Sequence, residues 1–279
     1  TQYMYNTISV NPAYAGSRGV LSVFGLYRTQ WIGLEGAPTT LNLSYHQPLE
    51  TSNLGLGGNI VHDEIGPSTT TNFSVDVSYT IDFENESRLA FGIKAGGELL
   101  NIDYTKLNHY NPSDVSFNNN INNQFSPNIG AGLFYYNANS YLGLSVPMLL
   151  QTKRYDEFAY SDANRKKHFY VMGGKVFDLT YNLKFKPAFV AKMVAGAPLQ
   201  LDLTGNFLIN EKFTVGLAYR WSAALSALVG FKVNDRVSIG YGYDRETTRL
   251  SNFNSGSHEI FLQFDLFKIT QQVETPRFF

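Results

Sequence analysis

The sequence contains no cysteine. That excludes thiolate nucleophiles, disulfide staples and cysteine-ligated zinc. Charge is scarce as well: Asp, Glu, Lys and Arg make up 16% of the 279 residues, against roughly 25% in ordinary soluble domains. The signs nearly cancel, leaving a formal net charge of -1, which gives no electrostatic case for nucleic acid or an anionic membrane surface. Long hydrophobic runs are missing, and nothing approaches the roughly 20 apolar residues of a spanning helix. No charged-then-apolar leader stands at Thr1, so the chain reads as a mature form with its leader removed.

Aromatic residues, by contrast, are plentiful at 15%, with 21 Phe and 18 Tyr. A soluble protein this aromatic and this poor in charge would struggle to cover its surface with polar groups. A wall that faces lipid has no such need.

Period-2 alternation recurs along the chain. From Asn72 to Phe83 every odd position is apolar and nearly every even one polar, the pattern of a strand with one face in hydrocarbon and the other in water. Leu41, Leu43 and Tyr45 alternate with Asn42, Ser44 and His46, and similar alternation runs through 183–193 and 199–207. The pattern predicts about fourteen strands, near 20–29, 39–48, 53–62, 71–83, 88–100, 127–136, 140–147, 168–177, 181–193, 199–208, 212–220, 223–232, 236–244 and 257–267.

The connections decide between architectures. Every second one is short: Glu50–Asn53, Glu84–Ser87, Asn137–Asn139, Asp178–Thr180, Asn210–Glu211 and Asn234–Asp235. The intervening set includes the long ones, 101–126, 148–167 and 245–256. Tight turns at one rim and long loops at the other are the anatomy of an all-β transmembrane antiparallel barrel, with short periplasmic turns and longer extracellular loops. An immunoglobulin-like sandwich would mix loop lengths at both ends. Strand parity then puts both termini in the periplasm. Trp31 and Trp221 fall at long-loop ends, and Phe83, Phe177 and Phe207 near short-turn ends, as aromatic girdles would; aromatics are also simply common in strands.

No catalytic constellation assembles, so no enzyme activity and no cofactor are expected. The histidines (His46, His62, His109, His168, His258) lack metal-ligand spacing. Gly55-Leu56-Gly57-Gly58 has no following helix to make a phosphate loop, and its glycines read as sites of bending or tight wall packing. The Asn-rich 101–126 loop reads as solvated, with partner contact as the alternative. Asp244-Arg245-Glu246 and Arg165-Lys166-Lys167 read as solvated rims.

Asp76, Lys94, Glu98, Lys184, Lys186, Lys192, Asp202 and Arg220 occupy polar strand positions whose neighbours are apolar. They should face the lumen, because Lys or Arg on the lipid face near the midplane costs roughly 2–4 kcal/mol. They could line a conduit, grip a peptide, or pair with one another across a filled interior. Three segments result: 1–19, periplasmic or plug-like; 20–267, the barrel; and 268–279, a polar periplasmic tail.

Several blocks resemble a known family. Gln2-Tyr3-Met4-Tyr5-Asn6, Asn11-Pro12-Ala13-Tyr14-Ala15-Gly16, Tyr27-Arg28-Thr29-Gln30-Trp31 and Gly36-Ala37-Pro38-Thr39-Thr40 look like the start of PorP/SprF proteins, outer-membrane proteins of the Bacteroidota associated with type IX secretion. Pro276-Arg277-Phe278-Phe279 looks like that family's C-terminus. The resemblance implies a non-enzymatic role in exporting or anchoring surface proteins, including gliding-motility adhesins. The implied partners are type IX components, secreted or surface-anchored cargo and outer-membrane lipid. The alternative is a channel for small solutes or hydrophobic compounds.

Overall fold

The computed structural model describes residues 5–50, 52–107, 120–150 and 166–266. Within them the chain forms one antiparallel sheet closed on itself. Its strands are β1 (Leu21–Thr29), β2 (Thr39–Pro48), β3 (Leu54–Ile65), β4 (Ser68–Asp82), β5 (Arg88–Ile102), β6 (Ile121–Tyr136), β7 (Ser140–Val146) and β8 (His168–Lys175). They continue as β9 (Phe177–Thr180), β10 (Leu183–Val194), β11 (Gln200–Ile209), β12 (Phe213–Arg220), β13 (Ala224–Lys232), β14 (Val237–Glu246) and β15 (Ser257–Leu266). Except at β8, each pairs with the next, and β1 pairs with β15 from Leu21↔Leu266 to Thr29↔His258, which closes the barrel. β8 and β9 both pair with β10 and are two halves of one stave, so the wall has fourteen. Closure leaves no long free edge, which an apolar medium requires because it offers no other partner to backbone N–H and C=O groups.

The alternation sorts the side chains as a lipid-exposed wall demands. Leu41, Leu43, Val75, Ile93, Leu217 and Ile260 point out and are about half exposed or more, while Ser44, His46, Asp76, Lys94 and Glu259 point in and are buried. The apolar band has a visible upper limit. Phe73 and Phe125 stack with ring centroids 6.2 Å apart, and beyond them the outward positions turn polar at Thr71 and His62. β4 and β5 have 15 residues each and β6 has 16, more than the 9–11 that cross a bilayer. Their excess stands above the band on the long-loop side.

Three connections differ from the sequence expectation. The turn expected at Asp178–Thr180 lies instead at Tyr181–Asn182, with β9 running through Thr180. β8 and β9 keep one register against β10 through Lys184↔Asp178, and the shift comes only between Lys184 and Leu183; Val176 N–H donates to the Asn139 carbonyl, so a polar Asp178 marks strand rather than turn. The stretch 63–70 is no loop: β3 and β4 pair up to Ile65↔Ser68, turning on Gly66 at φ 55°. Likewise β6 begins at Ile121, within the expected 101–126 loop. Gln2, Tyr3, Met4, Phe267, the tail 268–279, residues 108–119 (including His109) and residues 151–165 lie outside the described residues.

Candidate functional site

The interior is built from the chain's own start. Tyr5 to Val20 runs inside the barrel as two short 3-10 turns, η1 (Thr7–Ser9) and η2 (Pro12–Tyr14), with Asn6, Thr7, Ile8, Val10, Asn11, Ala13, Tyr14, Ala15 and Arg18 all buried. Asn11-Pro12 starts η2 for an identifiable reason. Proline is tolerated in a first turn, and the Asn11 Oδ1 accepts the Ala13 N–H at 3.0 Å, capping it.

The segment is bonded to the wall by its backbone. Asn11 Nδ2 donates to the Leu133 carbonyl at 3.0 Å, Ser78 Oγ to the Ala15 carbonyl at 2.6 Å, and Lys94 Nζ to the Ile8 carbonyl at 3.3 Å. Asn6 accepts from Ser44 Oγ at 2.8 Å and donates to Asn42 Oδ1 at 3.0 Å. Tyr14 meets Phe134 edge-on, centroids 5.3 Å apart, and His46 at 5.1 Å. The wall is recessed to receive it: a Cβ on Gly92 would stand 2.1 Å from Ala13 N, and one on Gly55 2.3 Å from the Ala15 carbonyl oxygen. The glycines of β3 therefore serve close packing, against the plug. Tyr5 packs on Phe261 at 4.4 Å; burial, and after it the charge of Glu259, hold its phenol protonated well above the usual tyrosine range.

Two ion clusters lock the seam where first and last strands meet. At the short-turn end Arg18 pairs with Asp265, which also accepts from Ser22 and Gln263. At the long-loop end Arg28 Nη1 lies 2.6 Å from Asp244 and 2.9 Å from Glu259, bridging β1, β14 and β15. Trp31, at φ 50°, follows this cluster; its Nε1 donates to Glu246 at 3.2 Å and its backbone N–H to Ser257 Oγ at 3.2 Å. Gln30 accepts from Arg28 at 3.4 Å. Tyr27, outward on β1, is the exposed residue of this block. Asp244 was expected on a solvated rim and is instead buried in this cluster, because the β14 register turns its side chain inward.

The remaining charged positions distribute along the inside. Asp76 and Lys94 pair at 3.1 Å under η1, both buried. Glu98 is buried in register with Asn72. Asp202 and Arg220 form a two-point pair at 2.9 and 3.0 Å. Lys186 is fully buried with Nζ 5.9 Å from the Tyr141 ring, and Lys192 Nζ stands 6.0 Å from the Tyr170 ring. Lys184 lies apart, at the short-turn rim near Asp178 and Glu211 at 3.8 and 3.7 Å. Glu259, Asp265, Arg18 and Asn59 escaped the sequence reading. For the first two the signal was present: Glu259, Gln263 and Asp265 alternate with Ile260, Leu262 and Phe264.

Above the plug the lumen opens into a cup of about 820 Å3, floored by Asn6, Ser9 and Val10 and reaching the long-loop rim at Ile65, Thr70 and Lys166. Among the described residues no group of three metal-ligating side chains comes together.

A plugged fourteen-strand wall with this opening can be set against known proteins. The family model described as "Type IX secretion system membrane protein PorP/SprF" matches residues 1–264. The chain belongs to the PorP/SprF family. The barrel fold and the secretion family together point to the outer membrane. No curated protein matches the chain. Among solved structures, the CymD monoaromatic hydrocarbon channel is similar at 11% identity and TM-score 0.54, over 94% of this chain and 93% of that one. A deletion mutant of the TodX monoaromatic hydrocarbon channel is similar at 8% identity and TM-score 0.52, over 93% of each. At these identities the likeness is one of fold. In this PorP/SprF chain, the described parts of the blocks that carried the family resemblance are the plug (Tyr5, Asn6 and Asn11–Gly16), the upper seam lock (Tyr27–Trp31) and the β1–β2 connection with the start of β2 (36–40).

Proposed function

We propose that this PorP/SprF barrel is a non-enzymatic holder of a secreted protein partner in the outer membrane, exporting or anchoring adhesin-type cargo. The observation that carries this reading is the asymmetry of the lumen. Its short-turn half is filled by a plug bonded to the wall at many points, and its long-loop half is an open, polar cup. A solute conduit needs a path through both halves, whereas a docking receptacle needs one open end and a firm floor. The alternation of turn lengths supports short turns and both termini in the periplasm, so that the cup faces the cell exterior. Asp76, Lys94, Glu98, Lys186, Lys192, Asp202 and Arg220 then serve to hold the interior together around the plug and cup, with Lys184 at the periplasmic rim. Membership in a type IX family supports components of that system and their cargo as partners.

Affinity purification of the tagged protein from its native outer membrane tests this. Secreted cargo or type IX components should be recovered with it. Recovery of abundant porins alone would overturn the reading.

A further inference from the structure

The cup's lining is polar, yet the cations below its rim are already used. Arg28 is held by Asp244 and Glu259, Lys94 by Asp76, and Arg220 by Asp202. What the cup offers a visitor is a set of side-chain amides: Asn42, Asn59, Asn72 and Asn128 from β2, β3, β4 and β6, with Gln30 at the rim. Asn59 is 7% exposed, and among the described residues its Oδ1 has no hydrogen-bond partner. Asn128 donates through Nδ2 to the Pro147 carbonyl at 2.8 Å, while its Oδ1 also has none. Buried acceptors are rarely left in this state. Here two of them line one cavity.

A side-chain amide carries one carbonyl acceptor and N–H donors, the same complement as a peptide unit, and an extended chain presents such a unit every 3.3–3.6 Å or so. Recognition through amides reads the main chain, whatever the side chains. A formally charged ligand meets paired cations below the rim, and at the rim Asp63 and Lys166 are of opposite sign. Sugars would want an open aromatic face, but Lys192 lies over the Tyr170 ring, His168 meets Tyr170 edge-on at 6.4 Å, and Phe73 turns its ring outward to stack on Phe125. We propose that the cup is a main-chain binding site that takes an extended, uncharged polypeptide segment, with Asn59 and Asn128 accepting its backbone N–H groups. This rests on the protein-partner reading above and gives it a site and a chemistry.

The test uses the full chain in detergent micelles and a capped (Gly-Ser)3 peptide as probe, followed by saturation-transfer NMR. The wild-type protein should saturate the peptide protons. N59L should lower that signal at least fivefold, and the same peptide with N-methylated backbone should give none. Since N59L removes an acceptor that has no partner, its melting temperature should be equal to or above wild type, which separates loss of binding from loss of fold. The inference is overturned if the wild-type protein does not saturate the peptide, if the N-methylated peptide saturates equally, or if N59L leaves the signal unchanged. A neutral hexasaccharide saturating more strongly than the peptide would overturn it in favour of sugar. Co-purification of protein partners by wild type and N59L alike, with no peptide signal, would sink the cup site and leave the partner reading standing. No partner with either protein would sink the reading itself.

Discussion

Arg28 carries the upper seam because two strands aim carboxylates at it. Asp244 and Glu259 lie on β14 and β15, and without the guanidinium the two buried carboxylates would face each other in the wall of the cup. Removing one member of a buried ion cluster typically costs about 3–5 kcal/mol. Arg28→Met should therefore lower the denaturant midpoint of the folded barrel by a large, easily read step, while Arg28→Met combined with Glu259→Gln should recover part of it. Equal midpoints for wild type and R28M would show that the cluster is ornamental. Gly92 is the counterpart for packing: any Cβ there meets the backbone of Ala13. Overpacking typically costs about 1–3 kcal/mol, and Gly92→Val should either destabilise by that amount or expel the plug. A melting temperature unchanged from wild type, with the plug still shielded, would contradict the packing.

At the scale of elements, the plug and the wall interlock through backbone contacts, so the plug should stay in place until the barrel opens. The absence of cysteine makes this easy to measure. Cysteine introduced at Ala13, fully buried between η2 and β5, should resist a water-soluble maleimide in the folded protein, whereas one at Ser9, on the cup floor, should react. Comparable rates at both positions would mean the plug is loose. These elements were unequally legible in the sequence. Strand alternation was plain, because lipid outside and polar groups inside impose opposite demands on neighbouring residues. The plug was legible only as a candidate, since a turn-rich segment such as Asn11–Gly16 gives no periodic signal and its fit depends on glycines from β3, β5 and β6 far along the chain. The cup was not legible: Asn59 looks like any inward polar residue until four strands bring its companions beside it. Asp178 and Asp244 misled for one reason, a local polar cluster read as turn or rim where strand pairing runs through it.

For the whole molecule, the wall's phase and the filled lumen are the two claims that matter. Val75, 62% exposed on the lipid side, sits near the middle of β4, and Arg there should reduce folding into lipid vesicles by roughly 2–4 kcal/mol. Asn72→Arg, turned inward beside Glu98, should be tolerated better; the reverse order would invert the wall. Ser74 and Ser78 also face inward, but Ser74 touches Lys94 and Ser78 holds the Ala15 carbonyl, so Arg at either should be poorly tolerated. Conductance across a planar bilayer tests the central claim, a receptacle closed at one end, most directly. The full chain is expected to show no large, stable open-channel steps, and a variant lacking residues 5–16 is expected to show them. A large, steady open channel in the intact protein would contradict the account.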